Sequence, residues 1–141
     1  MSKEKPPPVA LTQVRVRYAE TDQMGVAHHA SYLVWFEAAR SEFCRQQGCP
    51  YRDLEKQGYT LPVVEARCRY RTAAFYDDEL TLEARAVSVR TRRIHFVYRV
   101  MRRGTLVAEG ETIHLVVAPG GAPRSLPPEV IALLRGESRP S

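Results

Sequence analysis

Hydrophobic and polar positions alternate strictly over residues 12–18, with Val14, Val16 and Tyr18 on one side and Gln13, Arg15 and Arg17 on the other. A period of two predicts a half-buried strand. From about His29 to Gln47 the pattern changes: Tyr32, Leu33, Val34, Trp35, Phe36, Ala38 and Ala39 are apolar on nearly every side. Phe43 and Cys44 then continue one face, against Arg40, Glu42 and Arg45 on the other. That length and composition predict a helix, with Ser31 as N-cap and Gly48 as the stop. A helix apolar almost all round is expected to be buried.

The alternation returns in four later segments. Val64, Ala66, Cys68 and Tyr70 alternate with Glu65, Arg67 and Arg69, and Leu80, Leu82, Ala84 and Ala86 with Thr81, Glu83 and Arg85. Ile94, Phe96, Tyr98 and Val100 follow a turn at Thr91–Arg93, and Arg103-Gly104 turns into residues 105–118, where Gly110 suggests a bulge. Residues 127–135 read as a short last helix. The expected order is one strand, one long helix, then four strands in hairpin succession. An α+β fold, an antiparallel five-stranded sheet wrapped around one long central helix, buries that helix most simply. Its open edges predict a homodimer or homotetramer.

Eight of the ten prolines lie in residues 1–8 or from 119 onward. This divides the chain into a flexible tail (1–11), a folded domain (12–118) and a C-terminal segment (119–141). At 141 residues, 44% hydrophobic and 26% charged, the composition is that of one globular domain. No apolar run approaches a membrane span or a secretory signal, so a cytoplasmic protein is expected. Three cysteines without a CxxC pair predict neither a disulfide framework nor structural zinc. The net charge of +5 suggests an anionic partner.

The densest chemistry lies in Tyr18-Ala-Glu-Thr-Asp-Gln-Met-Gly-Val-Ala-His-His-Ala-Ser-Tyr32. An acidic loop turning at Gly25 sets Asp22 beside the start of a helix, whose first N–H groups lack intrahelical partners. Those amides and the helix dipole stabilise negative charge, so a carboxylate beside them suits acyl transfer. Helix or turn capping by Asp22 is the alternative reading. The His28-His29 pair raises general-base catalysis or metal ligation, and no carboxylate lies at a standard ligand spacing for the latter. Glu37 precedes Arg40 by three residues, which predicts an intrahelical ion pair and leaves Glu37 a secondary catalytic candidate.

This stretch resembles the 4-hydroxybenzoyl-CoA thioesterase family of hot-dog-fold enzymes. The family pattern is Tyr-x-Asp-Thr-Asp-x-x-Gly-x-x-(aromatic)-(His/Tyr)-x-Asn-Tyr, followed by an aromatic and acidic helix. Arg69-Tyr-Arg-Thr-Ala-Ala-Phe-Tyr-Asp-Asp-Glu-Leu80 looks like the family's link between its second and third strands, so the likeness runs over residues 12–118. The resemblance implies a hot-dog fold and an acyl-CoA thioesterase without a cofactor or metal. It places Asp22 on the catalytic aspartate, as nucleophile or general base. His29 falls where a backbone N–H polarises the thioester carbonyl. Gly25 and Tyr32 match the loop glycine and the first-turn tyrosine. Glu20, His28 and Ser31 depart from the pattern, and His28 and Ser31 fall at the acyl entrance.

Between Arg85 and Arg103 there are seven arginines and no acidic residue. Arg90, Arg92 and Arg93 gather at one turn, where long cations can hold phosphate. That turn aligns with a phosphate-contacting turn of the resembled family and would hold the nucleotide of coenzyme A; a solvated basic surface is the alternative. Arg102 and Arg103 are read as bystanders. An enoyl-thioester hydratase and an acyl-CoA-binding or RNA-binding module compete with hydrolysis, although no RNA-binding signature is present.

Overall fold

The computed structural model describes residues 7–137; the first six residues of the expected tail and residues 138–141 lie outside the described residues. The strands are β1 (Ala10–Arg15), β2 (Val63–Tyr70), β3 (Glu79–Val89), β4 (Arg93–Arg102) and β5 (Thr105–Leu115). They form one antiparallel sheet in the order β1-β3-β4-β5-β2, packed on the long helix α1 (Ser31–Gln46). This is the hot-dog arrangement. Two short helices, α2 (Tyr51–Lys56) and α3 (Pro128–Arg135), complete the chain. The alternation pattern does not reveal α2, which is too short to show a helical period.

The core follows from the spacing within α1. Tyr32, Trp35, Phe36, Ala39 and Phe43 recur at helical intervals and are all buried. Phe36 stacks on Tyr98 at 4.5 Å, and Phe43 meets Phe96 edge-on at 5.7 Å. The opposite face of α1 is open: Leu33 and Val34 are 45% and 53% exposed. The expectation of an all-round buried helix is therefore corrected for a single chain. One layer of sheet covers only one side.

Four further expectations change. The last four strands do not follow in hairpin succession, because β2 pairs with β5 while β3 pairs with β1 and β4. The link 71–78 thus carries the chain from one edge of the sheet to the other side. Ala10 and Leu11, read as the end of the tail, pair with Ala84 and Glu83. Tyr18 leaves the strand pattern, standing 80% exposed in a single 3₁₀ turn, Tyr18–Glu20. Gly110 is no bulge. It pairs in register with Cys68 and Tyr98, and a Cβ there would overlap the Phe36 ring and the Arg67 carbonyl. Its smallness lets the helix approach the sheet.

Across the core runs a directed chain of buried hydrogen bonds. Arg40 donates to the Tyr51 hydroxyl at 2.9 Å and the Tyr98 hydroxyl at 3.3 Å. The Tyr98 hydroxyl meets Thr112 Oγ1 at 2.5 Å, and Thr112 meets His114 Nε2 at 2.8 Å. His114 Nδ1 is 2.9 Å from the Leu61 carbonyl. Because that oxygen only accepts, Nδ1 carries the proton and Nε2 accepts from Thr112. Burial, together with the Arg40 charge, pushes the His114 pKa down from 6.5 to about 4.

The neutral ring is the one that fits, so the unfolded chain binds the extra proton first. Stability from His114 is complete above pH 6.5 and is lost as pH falls toward 4. We expect up to about 3 kcal/mol of loss across that window, read by urea unfolding at a series of pH values. Substituting His114→Gln should flatten the profile between those pH values.

Candidate active site

The acidic loop closes on itself before α1 begins. Thr21 pairs with Ala27, and the Asp22 N–H donates to the Val26 carbonyl at 2.8 Å. Gly25 makes the turn at φ +77°, which favours glycine. A second segment holds the loop from outside: Ala27 N–H donates to the Ala74 carbonyl at 2.7 Å, and Tyr76 N–H to Gly25 at 3.2 Å.

Within this loop Asp22 is exposed and turned back on its own backbone. Its Oδ1 accepts from Met24 N–H at 2.8 Å and Val26 N–H at 3.2 Å. Its Oδ2 has no hydrogen-bond partner among the described residues. One oxygen fixes the carboxylate while the other faces outward with its lone pairs free. These bonds make Asp22 the cap of its own turn, with the second oxygen left over.

The entrance of α1 is built differently from expectation. Ser31 is the first helical residue rather than the N-cap, and its Oγ donates to the Glu20 carbonyl at 3.0 Å. His28 Nδ1 instead accepts the Ala30 N–H at 3.1 Å, which leaves the proton on Nε2 in the neutral ring. The His28 and His29 rings stack at 4.1 Å. His28 N–H donates to Glu20, and Ser31 N–H to His28, whereas the His29 N–H has no partner among the described residues. It is a free donor at the positive end of the helix dipole. Tyr70 supports it from β2, its hydroxyl donating to the His29 carbonyl at 3.1 Å.

Beneath the loop lies a residue whose role sequence reasoning missed. Glu20 is 8% exposed, with Oε1 accepting the Arg17 N–H at 2.8 Å and Oε2 accepting Trp35 Nε1 at 2.9 Å. The Arg17 guanidinium lies 3.4 Å away and supplies the countercharge. The signal for this in the sequence was Glu20 itself, an acid otherwise unexplained between an alternating strand and a Trp-bearing helix.

The other predicted residues divide. Tyr32 is buried between Trp35 and Tyr70, at 4.8 and 5.0 Å, and burial raises its pKa. It therefore supports the helix entrance from below and offers no exposed wall in one chain. Glu37 and Arg40 do not form the expected ion pair: Glu37 is exposed, and Arg40 turns inward to Tyr51 and Tyr98. Arg90, Arg92 and Arg93 crowd the β3–β4 turn, with Arg92 Nε donating to Ser125 Oγ at 3.2 Å. None of the three meets a carboxylate among the described residues.

That turn lies at the far end of β3 from the Asp22 loop, and β3 from Glu79 to Val89 is itself about 33 Å of strand at about 3.3 Å per residue. One protomer does not bring the two groups together. Arg102, at the near end, donates to the Ala73 carbonyl and the Asp78 carboxylate, both at 2.8 Å. Among the described residues no cluster of three or more His, Cys, Asp or Glu is placed to hold a metal ion. No helix among them is long and apolar enough to cross a membrane.

Comparison with known proteins gives the family and the fold. Residues 16–134 match the thioesterase-like superfamily. The acyl-CoA thioesterase YbgC of Haemophilus influenzae is 36% identical over 122 residues, covering 84% of this chain and 89% of that protein. The crystal structure of the hypothetical protein TT1821 from Thermus thermophilus shares 39% identity at a TM-score of 0.86, covering 92% of this chain and 99% of that one. A DHNA-CoA thioesterase from Staphylococcus aureus shares 31% identity at a TM-score of 0.81, covering 84% and 80%.

Proposed function

The chain belongs to the thioesterase-like superfamily and is a thioester hydrolase, and from that premise we propose that it cleaves an acyl- or aryl-CoA to the free acid and CoA at the Asp22 loop. One observation carries the reading. A carboxylate with one free oxygen stands in the closed loop, and an amide at the helix entrance, two residues beyond the closing bridge at Ala27, has no partner among the described residues.

In this reading the His29 N–H donates to the thioester carbonyl oxygen and stabilises the negative charge that develops there. Asp22 Oδ2 attacks the carbonyl carbon, the C–S bond breaks, and CoA leaves as the thiolate. Water then hydrolyses the mixed anhydride, restoring the carboxylate. Alternatively Asp22 takes the proton of an attacking water, and the acid forms directly. Gly25 shapes the turn, while His28, Ser31 and Tyr32 set the helix entrance that the acyl group meets.

The site is completed in a homo-oligomer. Val63, Val64 and Tyr70 on the free edge strand β2 are 45%, 52% and 50% exposed, beside the open Leu33 and Val34 face of α1. An uncovered edge beside an uncovered apolar face favours a second copy of the chain. Because Arg90, Arg92 and Arg93 stand far from Asp22 within one protomer, a neighbouring protomer supplies them to the CoA phosphates.

Thiol release from a panel of aryl, short-chain and long-chain acyl-CoAs tests the reading, run beside an assay for water addition to crotonyl-CoA. Free thiol should appear with at least one thioester. Hydration of crotonyl-CoA without thiol release from any panel member would overturn it.

A further inference from the structure

The link 71–78 is bonded to the rest of the sheet at its two ends, while its middle bonds to the Asp22 loop. At one end the Arg71 and Thr72 N–H groups donate to the Val107 carbonyl at 2.9 and 3.1 Å. At the other, the Asp77 N–H and the Asp78 carbonyl each bond to Val16 at 2.9 Å. Between them, residues 74–76 hold the loop through the Ala74–Ala27, Phe75–Val26 and Tyr76–Gly25 pairings. Asp77 sits at φ +70°, a left-handed conformation that a residue other than glycine keeps only where its neighbours enforce it. The loop that carries Asp22 is therefore held by a segment with no strand of its own.

Two strand side chains bond to residues 73–78. Arg15 meets Asp77 at an exposed site. Arg102, read from the sequence as a bystander, bridges the span: its Nη1 donates to the Ala73 carbonyl and to the Asp78 carboxylate, both at 2.8 Å. The same Asp78 Oδ2 accepts the Phe75 N–H at 2.9 Å. The Arg102 and Asp78 side chains are only 25% and 26% exposed, so solvent screens this pair weakly. Arg102 also acts on the helix entrance. Burial and Cys68 raise the Tyr32 pKa, whereas the Arg102 charge and the Ala74 N–H pull it down, so both stand close to the first turn of α1.

We propose that Arg102 is a positioning residue for hydrolysis: from β4 it clamps the 73–78 span and so fixes where the Asp22 loop stands relative to the entrance of α1. This rests on the thioesterase reading above and adds a residue to it. Arg102 touches neither substrate nor reacting atoms. Its effect falls on kcat, because a displacement of about 1 Å in a reacting group can cost about a hundredfold in rate. An arginine that merely attracted the anionic coenzyme would act on KM instead.

Arg102→Met, Arg102→Lys and Arg103→Met test this by steady-state thiol release from the best acyl-CoA substrate, each beside a thermal melt. Arg102→Met should lower kcat by roughly tenfold to a hundredfold, with KM within about threefold of wild type. Its melting temperature should stay within about 5 °C. Arg102→Lys should recover most of kcat, because both bonds leave one nitrogen and an ammonium can donate them both. Arg103 is exposed, and its side chain has no partner among the described residues. Arg103→Met removes the same charge without touching the link, and both constants should be unchanged. Five results each overturn the proposal and leave the thioesterase reading standing. They are normal kcat in Arg102→Met, an equal loss in Arg103→Met, a loss carried by KM alone, no recovery in Arg102→Lys, and a loss explained by unfolding in the melt. Release of thiol by the wild-type protein from no acyl-CoA overturns both.

Discussion

Substituting Asp22→Asn should lower kcat by about a thousandfold or more, the range expected when a positioned nucleophile or base is removed. The fold should be unaffected, for a reason visible in the loop. The carboxylate oxygen that holds Met24 and Val26 N–H groups is replaced by an amide oxygen able to accept the same two bonds. The oxygen that is lost is the one without a partner. KM should change little, since substrate binding does not rest on Asp22. Steady-state thiol release together with a thermal melt separates the outcomes. A variant with near-normal turnover would leave Asp22 a turn-forming residue only. A variant with a lower melting temperature would show that the free oxygen has a structural partner.

The second large effect is expected at Glu20. Substituting Glu20→Ala removes the acceptor for Trp35 Nε1 and for the Arg17 N–H, and leaves the Arg17 guanidinium without its countercharge. The orphaned Trp35 Nε1 and Arg17 N–H cost about 1–3 kcal/mol each when desolvated, whereas the exposed Arg17 guanidinium adds little, so a loss on the order of 3 kcal/mol is expected in urea unfolding. Activity should fall as well, because Glu20 ties the loop carrying Asp22 to the helix whose entrance carries the His29 amide. Glu20→Gln retains an acceptor and should recover most of the stability. A change within about half a kcal/mol for Glu20→Ala, the range of an ordinary surface substitution, would contradict this role.

Much of the fold was legible from periodicity alone. The strict alternation of β3 and β4 and the long apolar helix translate directly into paired strands and a buried stripe. Strand order was not legible, because alternation reports which face a residue takes and says nothing of its neighbour. Hence succession along the chain suggests β2 beside β3, whereas β4 and β5 lie between them. Gly110 is ambiguous in the sequence for a related reason. A glycine in a strand signals either a bulge or a close approach, and only the position of the Phe36 ring decides between them.

The candidate site was legible as a motif and only partly as geometry. Gly25, with its positive φ, and the loop leading into α1 followed from local turn chemistry. The capping partners did not, since His28 takes the role that propensity assigns to Ser31. Nor did the inward turn of Arg40. An i,i+3 rule sees Glu37 but has no knowledge of Tyr51 and Tyr98 waiting on other elements. The separation of the Arg90–Arg93 turn from Asp22 reflects the length of β3, which no motif encodes.

The most direct measurement is a crystal structure of the Asp22→Asn protein with an intact acyl-CoA bound. The thioester carbonyl oxygen should accept a hydrogen bond from the His29 N–H, with the side chain at position 22 against the carbonyl carbon. A thioester bound with its carbonyl away from the α1 entrance, or with position 22 out of reach of that carbon, would contradict the account.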